Sequence, residues 1–260
     1  MHREQFDHTY TTYWNAAVSQ AIAQGVPSGD QAAATLEVLL GASSLTFENA
    51  LDVGCGSGRM QEMLAGFAET TWGVEPEETA ATAARSTGYQ NVWHAPAESV
   101  PTDSDFFDLI FCWAVFEILD QRAALLEFNR ILRPGGVAVI TGKNIHYFEN
   151  DMEADAAERG ALSKGFAQSF TDVRALRDEL TNFGFEFISG IAFARRGDFA
   201  QFKHASLESL APKERFYEFA VAVRKRSLPT TDPGPGRDWS SPCSLNLSEQ
   251  LGSDLGDHSD

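Results

Sequence analysis

The sequence predicts an α/β fold whose parallel sheet is covered by helices on both faces. Between residues 49 and 142, short apolar runs alternate with helical stretches of about ten residues, the pattern of repeated βα units. Glycines and prolines punctuate the joins. Crossovers between parallel strands wind right-handed, which places helices on either side of the sheet.

The elements follow in order. Residues 32–40 (AAATLEVLL) read as a helix, opened by Ser28-Gly29-Asp30 and stopped by Gly41. A first strand at 50–53 ends in glycines, and a helix over 59–67 follows. A second strand at 71–74 ends at Glu75-Pro76, and 77–85 is an alanine-rich helix. Residues 91–94 and 107–112 are the third and fourth strands. A helix over 121–132 is stopped by Arg133-Pro134-Gly135-Gly136, and 137–141 is the fifth strand. Beyond Gly142 the alternation loosens into a polar, mixed stretch at 143–169, whose acidic run 149–153 reads as a solvated face or part of a lid. Thr171-Asp172 caps a helix through Leu180. A strand at 185–189, extended to 193, and a last strand at 216–223 complete the pattern.

Three regions result: an N-terminal helical cap segment at 1–48, the α/β domain at 49–226 with a substrate-side insertion at 143–184, and a tail at 227–260. The tail holds six acids and one base without apolar periodicity, and is expected to be disordered.

Composition narrows the function classes. A net charge of −17, from 37 acids and 20 bases, argues against nucleic acid and against an anionic membrane surface. The three cysteines, Cys55, Cys112 and Cys243, are too far apart for a metal knuckle or a redox pair, so no metal is expected. Their sparse, odd count suits a reducing compartment. The opening MHREQFDHTYTTYW has no apolar stretch, so no signal peptide is expected. The apolar segment 106–119 is broken by Asp108 and Glu117 and is too short for membrane insertion. The expectation is a cytoplasmic protein acting on a small molecule.

The sharpest signal is LDVGCGSGR at 51–59, placed where a strand gives way to a helix. Gly54, Gly56 and Gly58 let the backbone turn tightly and approach a ligand, beside the free N–H groups of a helix start. No Lys-Ser/Thr pair follows, which excludes a P-loop. The spacing G-x-G-x-G also departs from the dinucleotide fingerprint G-x-G-x-x-G. Glu75, ending the second strand, is placed to accept hydrogen bonds from a ribose diol in either nucleoside class. The alternative is a tight turn that holds nothing.

LDVGCGSGR, then GVEP, AESVP, FDLIFC and ILRPGG in that order, resembles the class I S-adenosylmethionine-dependent methyltransferases. The similarity is greatest to the branch that includes the ubiquinone/menaquinone-biosynthesis enzymes, close over 49–142 and weaker over 143–226. It implies a Rossmann-like three-layer α/β/α sandwich with seven strands, mostly parallel, the last antiparallel. It implies S-adenosylmethionine as cofactor, with Asp52, Gly54, Gly56 and Gly58 around its methionine part and Glu75 on both ribose hydroxyls. Pro76 would pack on the adenine face, Ala97 would present its N–H to the adenine edge with Glu98 beside it, and Cys112 and Trp113 would line the methionine end. The N-terminal segment, with Tyr10, Tyr13 and Trp14, would fold over the cofactor. The sequence departs from the family at Pro96, where an acid often accepts the adenine amino group, and at Phe116-Glu117, where many members carry a histidine pair.

The implied reaction moves a methyl group to a small-molecule oxygen, nitrogen or carbon by in-line displacement, which orientation alone accelerates greatly. A base is needed only where the acceptor must lose a proton. Glu117, after the fourth strand, and His146, after the fifth, are the catalytic candidates; Glu117 could act as a base or bind a cationic substrate group, and the alternatives are a helix-start acid and an exposed loop histidine. Trp113 and Phe116 form a candidate aromatic wall, with core packing as the alternative for both and favoured for Phe116. The competing functions are an NAD-dependent oxidoreductase, which the glycine spacing disfavours, and a non-catalytic cofactor-binding relative.

Overall fold

The computed structural model describes residues 28–41, 46–163, 168–227 and 238–242. Its elements are α1 (Ser28–Leu40), β1 (Phe47–Val53), α2 (Gln61–Ala65), β2 (Ala68–Glu75), α3 (Glu78–Ala84), β3 (Asn91–His94), β4 (Phe107–Cys112), α4 (Gln121–Ile131), β5 (Leu132–Lys143) and α5 (Met152–Ser163). They continue with β6 (Ser169–Thr171), α6 (Val173–Glu179), β7 (Phe185–Phe193), β8 (Ala205–Ser206), β9 (Glu218–Lys225) and β10 (Ser240–Pro242).

The main sheet runs β3-β2-β1-β4-β5-β9-β7-β8. β1 to β5 are parallel neighbours. β9, the last strand of this sheet, is antiparallel to β5 and to β7, between which it lies. The sheet therefore has eight strands where seven are expected; the extra one, β8, is a two-residue addition at the edge of β7.

The period of two sorts side chains onto two cores. Leu51 and Val53 of β1, Ile110 and Cys112 of β4, Ala138 and Ile140 of β5, and Val221 and Val223 of β9 face one core, closed by Leu125 and Phe128 of α4 and Leu176 of α6. Ala50, Leu109 and Phe111, Val137 and Val139, and Ala220 and Ala222 face the other, closed by Leu36 and Leu39 of α1 and Leu64 of α2. This is the expected three-layer sandwich.

Three expectations need correction. The helix expected over 59–67 is only the five residues of α2, because the glycine loop continues as turns to Met60. The mixed stretch after Gly142 contains α5, and the acidic run starts it. Buried Asp151 accepts hydrogen bonds from the Ala154 N–H at 3.1 Å and the Arg196 N–H at 3.0 Å, so that acid is a cap, not a solvated charge.

The third concerns the tail. Residues 240–242 pair antiparallel with β6, and Trp239 is 2% exposed. Its indole Nε1–H donates to Gln121 Oε1 at 3.1 Å, and its ring meets Phe183 edge-on at 5.2 Å. One large aromatic offsets the ordering cost that the polar composition around it leaves uncompensated. Trp239→Ala is expected to destabilise the fold by about 3 kcal/mol or more, read by urea denaturation. A loss under about 1 kcal/mol would show that Trp239 does not hold the core.

Candidate functional site

Strand order reverses between β1 and β4, and the glycine loop leaves β1 at that point. In open α/β sheets this is where ligands bind. The Gly54 N–H donates to the Val74 carbonyl at 2.8 Å, tying the loop to β2. Gly56 has φ +53°, and a Cβ built there would have nothing within 4 Å, so bare main chain faces open space. Gly58, at φ +92°, lies against the Thr87 side chain with no room for a Cβ.

Two buried carboxyls support this loop. Glu75, 1% exposed, accepts the Gly56 N–H on Oε2 and the Glu77 N–H on Oε1, each at 3.0 Å. Asp52, 2% exposed, accepts the Tyr89 hydroxyl at 2.5 Å. Burial pushes the Asp52 carboxyl up to about 7; the Tyr89 hydrogen bond and the Arg59 charge oppose this, and Glu75 reinforces it. Pro76 is half-buried, and its carbonyl meets His94 Nε2 at 2.9 Å. Ala97 is buried, and Glu98 Oε1 accepts the Asp120 N–H at 3.0 Å. All end parallel strands, or follow them, at one edge of the sheet.

The same edge opens into a cavity of about 320 Å³ beyond β4, β5 and β9. Trp113, Phe199 and Phe219 give it aromatic walls, with Arg59, Glu117, Lys143, Arg196 and Glu218 as charged lining. Trp113 stacks on Phe111 at 5.1 Å and 15° and touches Phe199 at 5.0 Å. Ala114 takes φ +57°, a strained conformation for an alanine, and its N–H donates to Thr141 Oγ1 at 2.7 Å. That turn leads into the 3₁₀ turn Phe116–Ile118, which carries Glu117 into the cavity wall.

Glu117 is 5% exposed, and its Oε2 has no hydrogen-bond partner among the described residues. Burial raises its pKa, while Lys143, 4.0 Å away, opposes the rise. Lys143 Nζ donates to Glu158 Oε1 and Gln168 Oε1, both at 2.7 Å. Glu158 also accepts the Tyr217 hydroxyl. Glu218 faces Lys143 across the β5–β9 pairing, and burial pushes its carboxyl up to about 7 against the charges of Lys143 and Arg196.

Several expected residues stand elsewhere. His146 does not line the cavity; it is 55% exposed in its side chain and meets Asp172 at 3.4 Å. The chain turns away after Asn144, whose side-chain amide is bonded to the His146 and Phe216 carbonyls. The Cys112 side chain points into the apolar core, fully buried, because it alternates with Trp113. Phe116 is core as well. Tyr13, with Tyr10 and Trp14, lies outside the described residues. Lys143, Arg196 and Glu218 were not singled out as site residues by sequence. For Lys143 and Glu218 the signal is a charge at a strand end, where the β5 terminus meets the start of antiparallel β9; Arg196 follows β7. No cluster of residues suited to a metal ion occurs among the described residues, and no helix among them is long and apolar enough to cross a membrane.

A family model for a methyltransferase domain matches residues 51–140. The O-methyltransferase cnsE of Penicillium expansum is 32% identical over 143 residues, covering 51% of this chain and 50% of that protein. The chain thus matches about half the length of this curated relative. A Thermotoga maritima S-adenosylmethionine-dependent methyltransferase, described as a possible histamine N-methyltransferase, superposes with TM-score 0.64 at 20% identity, over 86% of this chain and all of that one. A Clostridium acetobutylicum S-adenosylmethionine-dependent methyltransferase gives 0.56 at 14% identity, over 83% and 99%. Residues 51–140 thus match a methyltransferase domain, and the chain shares its fold with solved S-adenosylmethionine-dependent methyltransferases.

Proposed function

We propose that the protein binds S-adenosylmethionine over its glycine loop and methylates a small molecule held in the cavity beyond β4, β5 and β9. The observation that carries this reading is the shared edge: open main chain at Gly56, the acids Asp52 and Glu75, and the cavity all lie at the ends of the parallel strands. The residues fit the cofactor. Two buried carboxyls suit a cationic amino-acid part and a ribose diol, and no phosphate-binding lysine follows the loop. When bound, the cofactor supplies an activated methyl group.

The chain's own residues do the remaining work. Asp52 and the loop backbone hold the methionine part, and Glu75, its orientation fixed by two N–H groups, holds the ribose. Trp113 and Arg59 line the cavity where it adjoins the loop. Packed aromatic walls fix the acceptor's orientation, from which most of the acceleration of such a transfer comes. Glu117 is the catalytic candidate that reaches the cavity. One relative is named an O-methyltransferase and another is described as a possible N-methyltransferase, so the likeness alone assigns neither atom. The NAD-dependent reading has no support in the glycine spacing or in the relatives.

Glu75→Ala is expected to weaken S-adenosylhomocysteine binding by more than about tenfold in calorimetry, since a hydrogen bond to a buried charge contributes about 1.5–3 kcal/mol. Unchanged affinity would remove Glu75 from the site. Asp52 gives a pH signature. Its folded pKa, about 7, lies above that of an unfolded aspartate. Protonation therefore favours the folded state, and this contribution is present below about pH 4 and lost as pH rises to about 7. Asp52→Asn keeps the acceptor for Tyr89 and cannot ionise. In cofactor-free protein its melting-temperature gain over wild type is expected to grow from pH 4 to pH 7 and then level off. A gain independent of pH would contradict the assigned burial.

A further inference from the structure

The charges around the cavity are unevenly matched. Glu117 and Glu218 are lining carboxyls, Arg59, Lys143 and Arg196 are lining cations, and Glu158 stands behind Lys143. Lys143 is committed to Glu158 and Gln168, and stands 4.0 Å from Glu117, beyond hydrogen-bond reach. Arg196 donates to the Tyr217 hydroxyl at 3.4 Å and acts electrostatically on Glu218. Arg59, on the rim, acts on Asp52. Glu117 meets Lys143 at the 4.0 Å limit of an ion pair, and its buried Oε2 has no hydrogen-bond partner among the described residues.

A buried carboxylate with a distant cation and an unsatisfied oxygen is costly, and a donor that brings its own positive charge relieves it most. The remaining walls suit such a donor, since Trp113, Phe199 and Phe219 present aromatic rings to the same cavity. A neutral alcohol would satisfy one oxygen and add no positive charge beside it.

Resting on the methyl-transfer reading above, we propose that the acceptor is a primary or secondary amine on an apolar body, bound as its ammonium against Glu117, which takes up the ammonium proton. An N–H bond breaks, its electron pair stays on nitrogen, and the proton passes to a Glu117 carboxylate oxygen. Ammonium and carboxylate become amine and carboxylic acid, and the net charge of the pair stays zero. The nitrogen then holds the lone pair that a methyl acceptor needs.

The test is a calorimetric titration of the full chain with 2-phenylethylamine and its near-isostere 2-phenylethanol, with and without saturating S-adenosylhomocysteine. Wild type is expected to prefer the amine by about tenfold or more, the scale of a charge-assisted buried hydrogen bond. In E117Q the preference is expected to fall to within about threefold, with S-adenosylhomocysteine affinity unchanged. Equal affinities, a preference for the alcohol, binding of neither probe, or a preference that survives E117Q would each overturn the proposal. If E117Q does not fold, the wild-type comparison decides alone. Failure of S-adenosylhomocysteine to bind would instead overturn the methyl-transfer reading, and the probe titrations without it separate the two failures.

Discussion

The hydrogen bond from the Gly56 N–H to Glu75 Oε2 is the constraint on which the site depends. It joins the turn after β1 to the end of β2 and fixes how far the loop stands from the sheet. Gly54 strengthens the tie through the Val74 carbonyl, so the loop is anchored along one strand and open on its other side. The anchor is a charged group 1% exposed, held by two N–H donors. Its burial makes sense as preorganisation, because a carboxylate oriented before a ligand arrives loses little freedom on binding it.

Much of this was legible in the sequence. The βα alternation gave the layers, and the motif order gave the glycine loop, Glu75 and Trp113 their places. What escaped was long-range. Nothing local marks Lys143 and Glu218 as partners; they meet because β9 inserts antiparallel between β5 and β7. Arg196 was visible only as half of a basic pair, since its backbone N–H docks on Asp151, a residue 45 positions earlier. Strand alternation also separates Cys112 from Trp113, a distinction that two adjacent apolar letters conceal. Trp239 shows the opposite failure: composition averages over a window, whereas a single indole finds a partner 118 residues away.

The cavity joins two kinds of surface that pull in opposite directions. Its aromatic walls lower the local dielectric, which strengthens electrostatic interactions within it. Its acids, held in that same environment, respond with raised pKa values at Glu117 and Glu218. Lys143 reconciles them by standing among three carboxyls, with one ideal partner at 2.7 Å and one at the limit of contact. A lysine placed symmetrically would have neutralised Glu117 as well; its commitment to Glu158 is what leaves that carboxyl available.

That commitment is itself enforced from a distance. Gln168 precedes β6, and β6 is held on both sides. On one side Thr171 bridges to Asn144 beyond the end of β5, and its hydroxyl donates to Gln121 Oε1 at 3.1 Å. On the other lies β10, whose neighbour Trp239 donates to that same Gln121 oxygen. Gln121 therefore links helix α4, the short strand and the C-terminal segment through one side chain. Because Gln168 directs Lys143 away from Glu117, the ordering of residues 238–242 bears on the electrostatics of a cavity they do not line. Residues 238–242, which look dispensable by composition, thus belong to the support of that cavity.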